Sequence, residues 1–74
     1  MKSIQIITTE IKSRMANDKD VSALHIRVDT DNKGVVTLSG KAKSLEEADK
    51  AASIARGVEG VVSVENNIQI VAHR

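Results

Sequence analysis

The sequence of 74 residues lacks cysteine, proline and every aromatic side chain. Without cysteine, neither a disulfide nor a thiolate metal site is available to stabilise so short a chain. Without aromatic rings, the stacking platforms of single-strand nucleic-acid binders and the cages that bind alkylated amines are excluded. No stretch approaches the roughly 18 apolar residues of a membrane-spanning helix. The core therefore has to be built from Val, Ile, Leu, Ala and Met.

The charged residues do not favour one sign. Eleven basic residues stand against ten acidic ones, which gives a formal net charge of +1. No global field therefore selects nucleic acid, an anionic membrane or an acidic substrate. The first 20 residues include Glu10, Asp18 and Asp20 and have no apolar run, so we expect no signal peptide there.

The hydrophobic pattern first predicts a helix and then a strand. Across residues 3–16 the apolar positions recur every three or four residues, which predicts a helix with one narrow apolar stripe. From 24 to 30 apolar and polar residues alternate, which is typical of a half-buried strand. This alternation places Leu24 on the inner face, together with Ile26 and Val28.

A hairpin and a second strand follow. Turn-forming residues at 31–34 predict the hairpin connection. Residues 35–40 are rich in β-branched side chains and predict a strand with Val36 and Leu38 turned inward. Gly40 ends this strand where the chain has to turn, so we expect a backbone conformation there that a β-branched residue cannot adopt.

The second helix has recognisable signals at both ends. Ser44 and Glu47 form a capping box, in which the Ser44 hydroxyl accepts from the N–H of Glu47 and the Glu47 carboxylate accepts from the N–H of Ser44. We expect Ser44 to contribute more to stability than Glu47. Gly57 ends the helix in a left-handed conformation. Half of the helix surface is apolar and rich in alanine, from Leu45 to Val58, which allows close packing.

The last predicted strand covers residues 61–71. Gly60 leads into it, and apolar residues at 62, 64, 68 and 70 share one face. Asn66 falls on the same face. We expect its amide to satisfy backbone groups at the end of a helix or around Gly60, because a buried amide needs hydrogen bonds.

Together these elements predict an α+β fold: one α-β-β-α-β domain over residues 1–74 with its core in 3–71. Two helices cover one face of a three-stranded sheet whose other face is polar. The third strand pairs with the second, giving a mixed sheet, or with the first, giving an antiparallel one. We favour the mixed sheet with a right-handed crossover, and we expect the isolated domain to be a monomer.

Three segments carry a family signature: the strand and its glycine at 34–40, the helix from 44 to 55 with its capping box and alanines, and the segment 57–70. Within the last, the residues from Val58 to Ile68 read V-x-G-V-x-x-V-x-N-x-I. In this order the segments resemble the BON domain, a family named for bacterial osmotically inducible and nodulation proteins.

The resemblance implies a non-catalytic binding module, without cofactor or small-molecule substrate, that attaches a protein to phospholipid or cell-envelope surfaces in osmotic or envelope stress. Its partners would be a phospholipid membrane surface or another envelope protein, and not nucleic acid. The family implies a periplasmic or envelope location, with the cytoplasm as the alternative. The alternative function is a scaffold for protein–protein contacts or oligomerisation, followed by a small-ligand or ion sensor that uses carboxylates such as Asp18 and Asp20.

No catalytic or metal-binding constellation is predicted. His25 and His73 are far apart in the sequence, and we expect both on the surface. The sequence Gly57-Val58-Glu59-Gly60 has the GxxG spacing of nucleic-acid clamps, but Glu59 would repel phosphate. A helix end followed by a tight turn is the simpler interpretation.

The predicted contact surface lies on the first helix. Ile6 stands about 160° from the centre of its apolar stripe and is therefore expected to be exposed. Lys2 and Lys12 flank it, which makes these three residues the candidate contact with lipid or protein. Lys41 and Lys43 form a second, weaker candidate for lipid phosphates, at about 1 kcal/mol each.

Overall fold

The computed structural model describes residues 3–71. Helix α1 covers Ile4–Ala16 and α2 covers Leu45–Arg56. Strand β1 covers Ile26–Thr30, after a 3-10 turn at Ala23–His25, and β2 covers Val35–Ala42. The last predicted strand is in two pieces, β3 at Ser63–Asn66 and β4 at Gln69–Ile70. The predicted α-β-β-α-β order is confirmed.

Strand β2 lies in the centre of a mixed sheet, as predicted. It pairs antiparallel with β1, so that Val28 faces Leu38. It pairs parallel with β3 and then with β4, with Val36 beside Val64 and Ala42 beside Ile70. Because the offset between partners is the same in both ladders, β3 and β4 are one strand interrupted between residues 66 and 69.

The core is aliphatic and lies between the sheet and the two helices. Its largest fully buried side chains are Ile11 and Met15 of α1 and Val36 and Leu38 of β2. Helix α2 contributes buried alanines, which let its backbone approach the sheet and α1 closely.

Five residues that the patterns placed on apolar faces are exposed instead: Ile4, Leu24, Leu45, Val62 and Ile70. Leu24 is 95% exposed, Val62 74% and Leu45 65%. Ile4, Leu45 and Ile70 lie at the ends of their elements, and Leu24 and Val62 lie just before a strand, where the opposing layer does not cover them. A periodic pattern assigns a face to a residue but does not show how far along the element that face is buried.

The hairpin forms as predicted. The Asp31 carboxylate accepts from the N–H groups of Lys33 and Val35, at 2.8 and 3.0 Å. These two bonds, the one from Val35 first, hold the pKa of Asp31 below its ordinary value. Gly34 completes the turn with a φ of 86°.

The predicted left-handed end of α2 is wrong. Gly57 has φ −79° and ψ −7°, a right-handed conformation, and its N–H remains bonded to the last turn of the helix. The left-handed residue is Gly60, with φ 99°, just before the chain enters β3. The helix therefore unwinds gradually through residues 57–60 rather than ending at one glycine.

Gly40 and Gly57 form a matched pair for a test of backbone constraint. Gly40 has a φ of 108°, and a Cβ there would overlap the carbonyl oxygen of His25. At Gly57 a Cβ would meet nothing closer than 3.5 Å. We expect Gly40→Ala to destabilise the domain by more than about 1 kcal/mol, because both strain and clash oppose it. Gly57→Ala is expected to be neutral or to stabilise by up to about 1 kcal/mol.

Urea unfolding of the two variants measures the difference. Equal unfolding free energies would show that position 40 tolerates a side chain and would contradict this account of the β2 backbone.

Candidate functional site

Leu24 is the most exposed large apolar residue among those described, at 95%. The sequence pattern placed it on the inner face of β1, and that prediction is wrong. The strand begins only at Ile26, and Leu24 lies in the 3-10 turn before it. Because side chains in such a turn do not alternate between two faces, the period-2 pattern does not apply to residue 24.

The turn is held in place by Glu47. Its Oε2 accepts from the N–H of Ser22 at 2.7 Å, and its Oε1 accepts from the N–H of Lys43 at 2.9 Å. The residue is only 7% exposed, although it lies in the first turn of α2. One carboxylate therefore joins the segment before β1 to the segment before α2.

The two backbone hydrogen bonds also set the charge state of Glu47. The bond from Lys43 and then that from Ser22 hold its pKa below the ordinary value of 4.5, against the effect of burial. The positive charges of Lys43 and His25 act in the same direction. Glu47 is thus an ionised carboxylate whose negative charge is stabilised by two backbone N–H groups and by neighbouring cations.

Only one of the two hydrogen bonds predicted for the capping box forms. The Ser44 hydroxyl accepts from the N–H of Glu47 at 3.1 Å. The Glu47 carboxylate, however, accepts from Lys43 and Ser22 and not from Ser44. The hydrogen bond from Ser22 places the carboxylate away from the position that a local capping box would give it. We therefore expect Glu47 to contribute more to the stability of the fold than Ser44, the reverse of the order expected from the sequence.

Basic side chains from four segments line two hollows beside the 3-10 turn, and His25 belongs to both hollows. Lys12 and Arg27 line a shallow hollow of about 530 Å³ together with Leu24 and His25. His25 also lines a second hollow, of about 160 Å³, whose other walls include Lys41, Lys43, Ala42 and Val71. We call these six residues the Leu24 surface: Lys12, Leu24, His25, Arg27, Lys41 and Lys43.

Carboxylates lie close to the cations of the Leu24 surface. Asp29 lies 4.0 Å from Arg27 in an exposed ion pair. Glu47 is the other carboxylate at its margin, and it is engaged by backbone amides. On its far side, Lys43 borders a further hollow with Asp20 and Glu46. Lys12, Lys41 and Lys43 are the cations of the surface for which the structure of residues 3–71 gives no ion pair.

The predicted contact residues are not brought together as one site. Ile6 is exposed, at 53%, in agreement with the sequence pattern. Lys12 lies about 240° further around the axis of α1 than Ile6, and its side chain belongs to the Leu24 surface. Lys2 lies outside the described residues, as does His73. A contact role for Lys2, Ile6 and Lys12 therefore stays a prediction.

Asn66 is exposed rather than buried, but its side chain still forms two hydrogen bonds to the backbone. Its Nδ2 donates to the carbonyl of Ala48 in α2, and its Oδ1 accepts from the N–H of Ile68, both at 3.2 Å. The partners lie in the first turn of α2 and just after β3, not around Gly60.

Residues 3–71 contain no cluster of three or more His, Asp or Glu side chains placed to hold a metal ion. In the same part of the chain, neither helix has the length and apolar character to cross a membrane.

The fold defines a small α+β module in which the Leu24 surface lies at the end of the sheet where β1 begins and β2 ends. The chain belongs to the BON domain family, because the family model matches residues 3–72. This confirms the resemblance seen in the segments between residues 34 and 70.

Two curated relatives are similar to this chain. The osmotically-inducible protein Y of Escherichia coli (strain K12) is 44% identical over 62 residues, which cover 84% of this chain and 30% of that protein. The 21 kDa hemolysin of Actinobacillus pleuropneumoniae is 45% identical over 65 residues, which cover 88% and 32%. The chain thus spans about a third of the length of each relative.

The Glu47 network gives a first prediction on stability. Ser44→Ala removes one capping bond and is expected to cost about 1 kcal/mol. Glu47→Ala leaves the amides of Ser22 and Lys43 without a partner and is expected to cost about 2 kcal/mol or more. The exposed neighbour Glu46→Ala is the control and should change little. Chemical denaturation that ranks Ser44→Ala as the more damaging change would contradict the network.

A second prediction concerns pH. Because the folded pKa of Glu47 is lowered, its ionisation stabilises the fold above the ordinary value of 4.5, and this contribution is lost as pH falls through the folded pKa. Glu47→Gln lacks the charge, so the stability difference between wild type and variant should be constant above about pH 5.5 and shrink below about pH 4.5. Asp31 titrates in both proteins, so its effect cancels in the difference. A difference that does not change with pH, in urea melts, would contradict the assignment.

Proposed function

We propose that this chain is a non-catalytic binding module that attaches its protein to an anionic phospholipid surface of the cell envelope, and that the Leu24 surface makes the contact. The observation that carries the proposal is the 95% exposure of Leu24 beside Lys12 of α1 and Arg27 of β1, with Lys41 and Lys43 in the adjoining hollow. An exposed apolar side chain with cations beside it matches the layered chemistry of a membrane interface, with phosphate outside and acyl chains within.

Family and relatives support the same class of target. The BON family resemblance implies envelope surfaces and osmotic or envelope stress. One relative is named for osmotic induction, and the other is named a hemolysin. We extend a periplasmic or envelope location to this chain on the same grounds.

The expected affinity follows from the size of the surface. Full burial of one leucine contributes about 1.5–3 kcal/mol. Each cation adds about 1 kcal/mol near an anionic membrane, and nearby carboxylates offset part of this. The total of about 4–5 kcal/mol corresponds to binding in the high-micromolar range or weaker for one domain. Stable residence on a membrane would then come from further contacts in a longer protein, which multiply the affinity.

The alternative function, a scaffold for protein–protein contacts, would not need anionic lipid. It would use the exposed strand edge rather than the Leu24 surface. Binding to vesicles therefore separates the two functions.

The test is vesicle binding by the wild type and three variants that each remove one exposed apolar side chain. Leu24→Ser is expected to weaken binding to phosphatidylglycerol-containing vesicles about tenfold or more. Ile6→Ser, on the outer face of α1, and Val62→Ser, at the opposite end of the sheet, are matched controls and should bind like wild type. Wild-type binding should fall with added salt and vanish on phosphatidylcholine alone.

Amide shifts on titration with anionic micelles locate the contact. The proposal predicts shifts in residues 23–28 and 41–43. Loss of binding by Ile6→Ser instead, with shifts confined to residues 4–14, would move the site to the face of α1 that the sequence pattern favoured. The absence of any lipid binding would overturn the membrane function.

A further inference from the structure

In the described part of the chain the sheet has two edge strands, β1 and the interrupted strand β3–β4. Along β1 buried and exposed residues alternate, and α1 packs against this strand. Along the other edge strand, every residue from 63 to 70 is exposed or half-buried, so it is the less covered of the two.

The hydrogen bonds to β2 show which backbone groups face outward at this edge. The N–H of Asn67 donates to Leu38 and that of Val71 donates to Ala42, both at 2.8 Å. Because the amides of a strand point alternately to its two sides, the even-numbered residues from 64 to 70 direct their N–H and C=O groups away from β2. An added strand would pair with these even-numbered residues.

The sequence of the edge is symmetric about Asn66. Apolar residues stand two and four positions before it and two and four positions after it, with polar residues between. An antiparallel pair of two copies with Asn66 on the two-fold axis would therefore match apolar with apolar side chains. It would also bring the outward backbone groups into hydrogen-bonded positions without setting like charges opposite each other. The facing backbone pairs would be Val64–Ile68 and Glu65–Asn67, with the Val62 side chain opposite Ile70. The Val62 N–H already donates to the carbonyl of Gly34, at 2.8 Å, so the backbone pairing ends before this residue.

Asn66 interrupts this pairing at its centre. Its Oδ1 already accepts from the N–H of Ile68, at 3.2 Å, which is the group that would donate to Val64 of a second copy. Its Nδ2 is tied to the carbonyl of Ala48, which fixes the side chain against α2. In a symmetric pair, the Ile68 N–H of each of the two copies would be engaged by Asn66 in this way. The interruption between β3 and β4 lies at this point.

We propose that the β3–β4 edge is a self-complementary pairing surface for a second copy of this chain, and that Asn66 holds it closed. The side-chain amide substitutes for the backbone of a partner strand, which is one way in which proteins protect an open edge. The protein is monomeric while the bond from Ile68 to Asn66 is intact.

Two substitutions at position 66 separate edge opening from simple destabilisation. Asn66→Val removes both bonds and frees the Ile68 N–H. Asn66→Ser keeps a neutral acceptor for that N–H and loses the donor to Ala48. By light scattering after size exclusion, we expect Asn66→Val to form a dimer, with self-association about tenfold or more tighter than wild type, and Asn66→Ser to remain a monomer. A folded, monomeric Asn66→Val, or association of both variants, would overturn the proposal.

The register is tested by a second change in the opened variant. Val62 is 74% exposed, so a lysine there is compatible with the fold, but in the dimer it would face Ile70. Adding Val62→Lys to Asn66→Val should restore the monomer. A dimer that persists would show that the copies pair elsewhere.

Hydrogen exchange on the wild type gives a result that does not depend on any variant folding. The Ile68 amide should exchange more slowly than the amides of Val64 and Ile70, because only Ile68 has a partner on the outer edge. Equal exchange at the three positions would show that Asn66 does not protect the edge.

Discussion

The Glu47 carboxylate joins the two loops on which this end of the molecule depends. Ser22 precedes the turn that leads into β1 and lies 25 residues before Glu47 in the sequence. Lys43 precedes α2 and lies 4 residues before Glu47. The two hydrogen bonds therefore join these two loops through one side chain. An ion pair between Lys50 and Asp18, at 3.7 Å, links the same loop to α2. A buried carboxylate without these amides would oppose folding, so its burial and the loop geometry require each other.

The exposure of Leu24 is a consequence of this junction. Because Ser22 is held by Glu47, and the N–H of His25 in turn donates to Ser22, the turn between them presents its central side chain to solvent. An exposed residue on a loop that is fixed by a rigid scaffold is a common arrangement for binding. It also keeps the entropic cost of binding low, since the loop is ordered before any partner arrives.

Asn66 has a comparable role at the outer strand. Its side-chain oxygen accepts from the outward N–H of Ile68, as the backbone of a neighbouring strand would. Its side-chain nitrogen donates to Ala48 and so joins the strand to α2. A domain of this size has few layers with which to cover a sheet, so its β3–β4 edge is protected by a single side chain. Polar groups at two positions thus organise a core that is entirely aliphatic.

The local elements could be predicted from the sequence because the interactions that define them are local. The stripe of α1, the hairpin closed by Asp31, and the cap at Ser44 depend on residues within four positions of each other. The mixed sheet was favoured over an antiparallel one that the periodicity also allowed, and the structure decided between them. The family followed from the ordered segments between residues 34 and 70. Glycine conformation was predicted correctly at Gly40 and wrongly at Gly57, because a helix end is compatible with more than one backbone path.

The candidate site was decided by tertiary structure. No pattern around Glu47 contains Ser22, and no alternation of apolar residues shows that β1 begins two positions after Leu24. The cations of the Leu24 surface come from four segments, so their proximity depends on how α1, β1 and β2 pack. The sequence by itself determined which residues prefer helix, strand or turn, because those preferences arise from backbone geometry within a few residues. Only the tertiary structure decided which side chains are left outside, because exposure depends on what the rest of the chain covers.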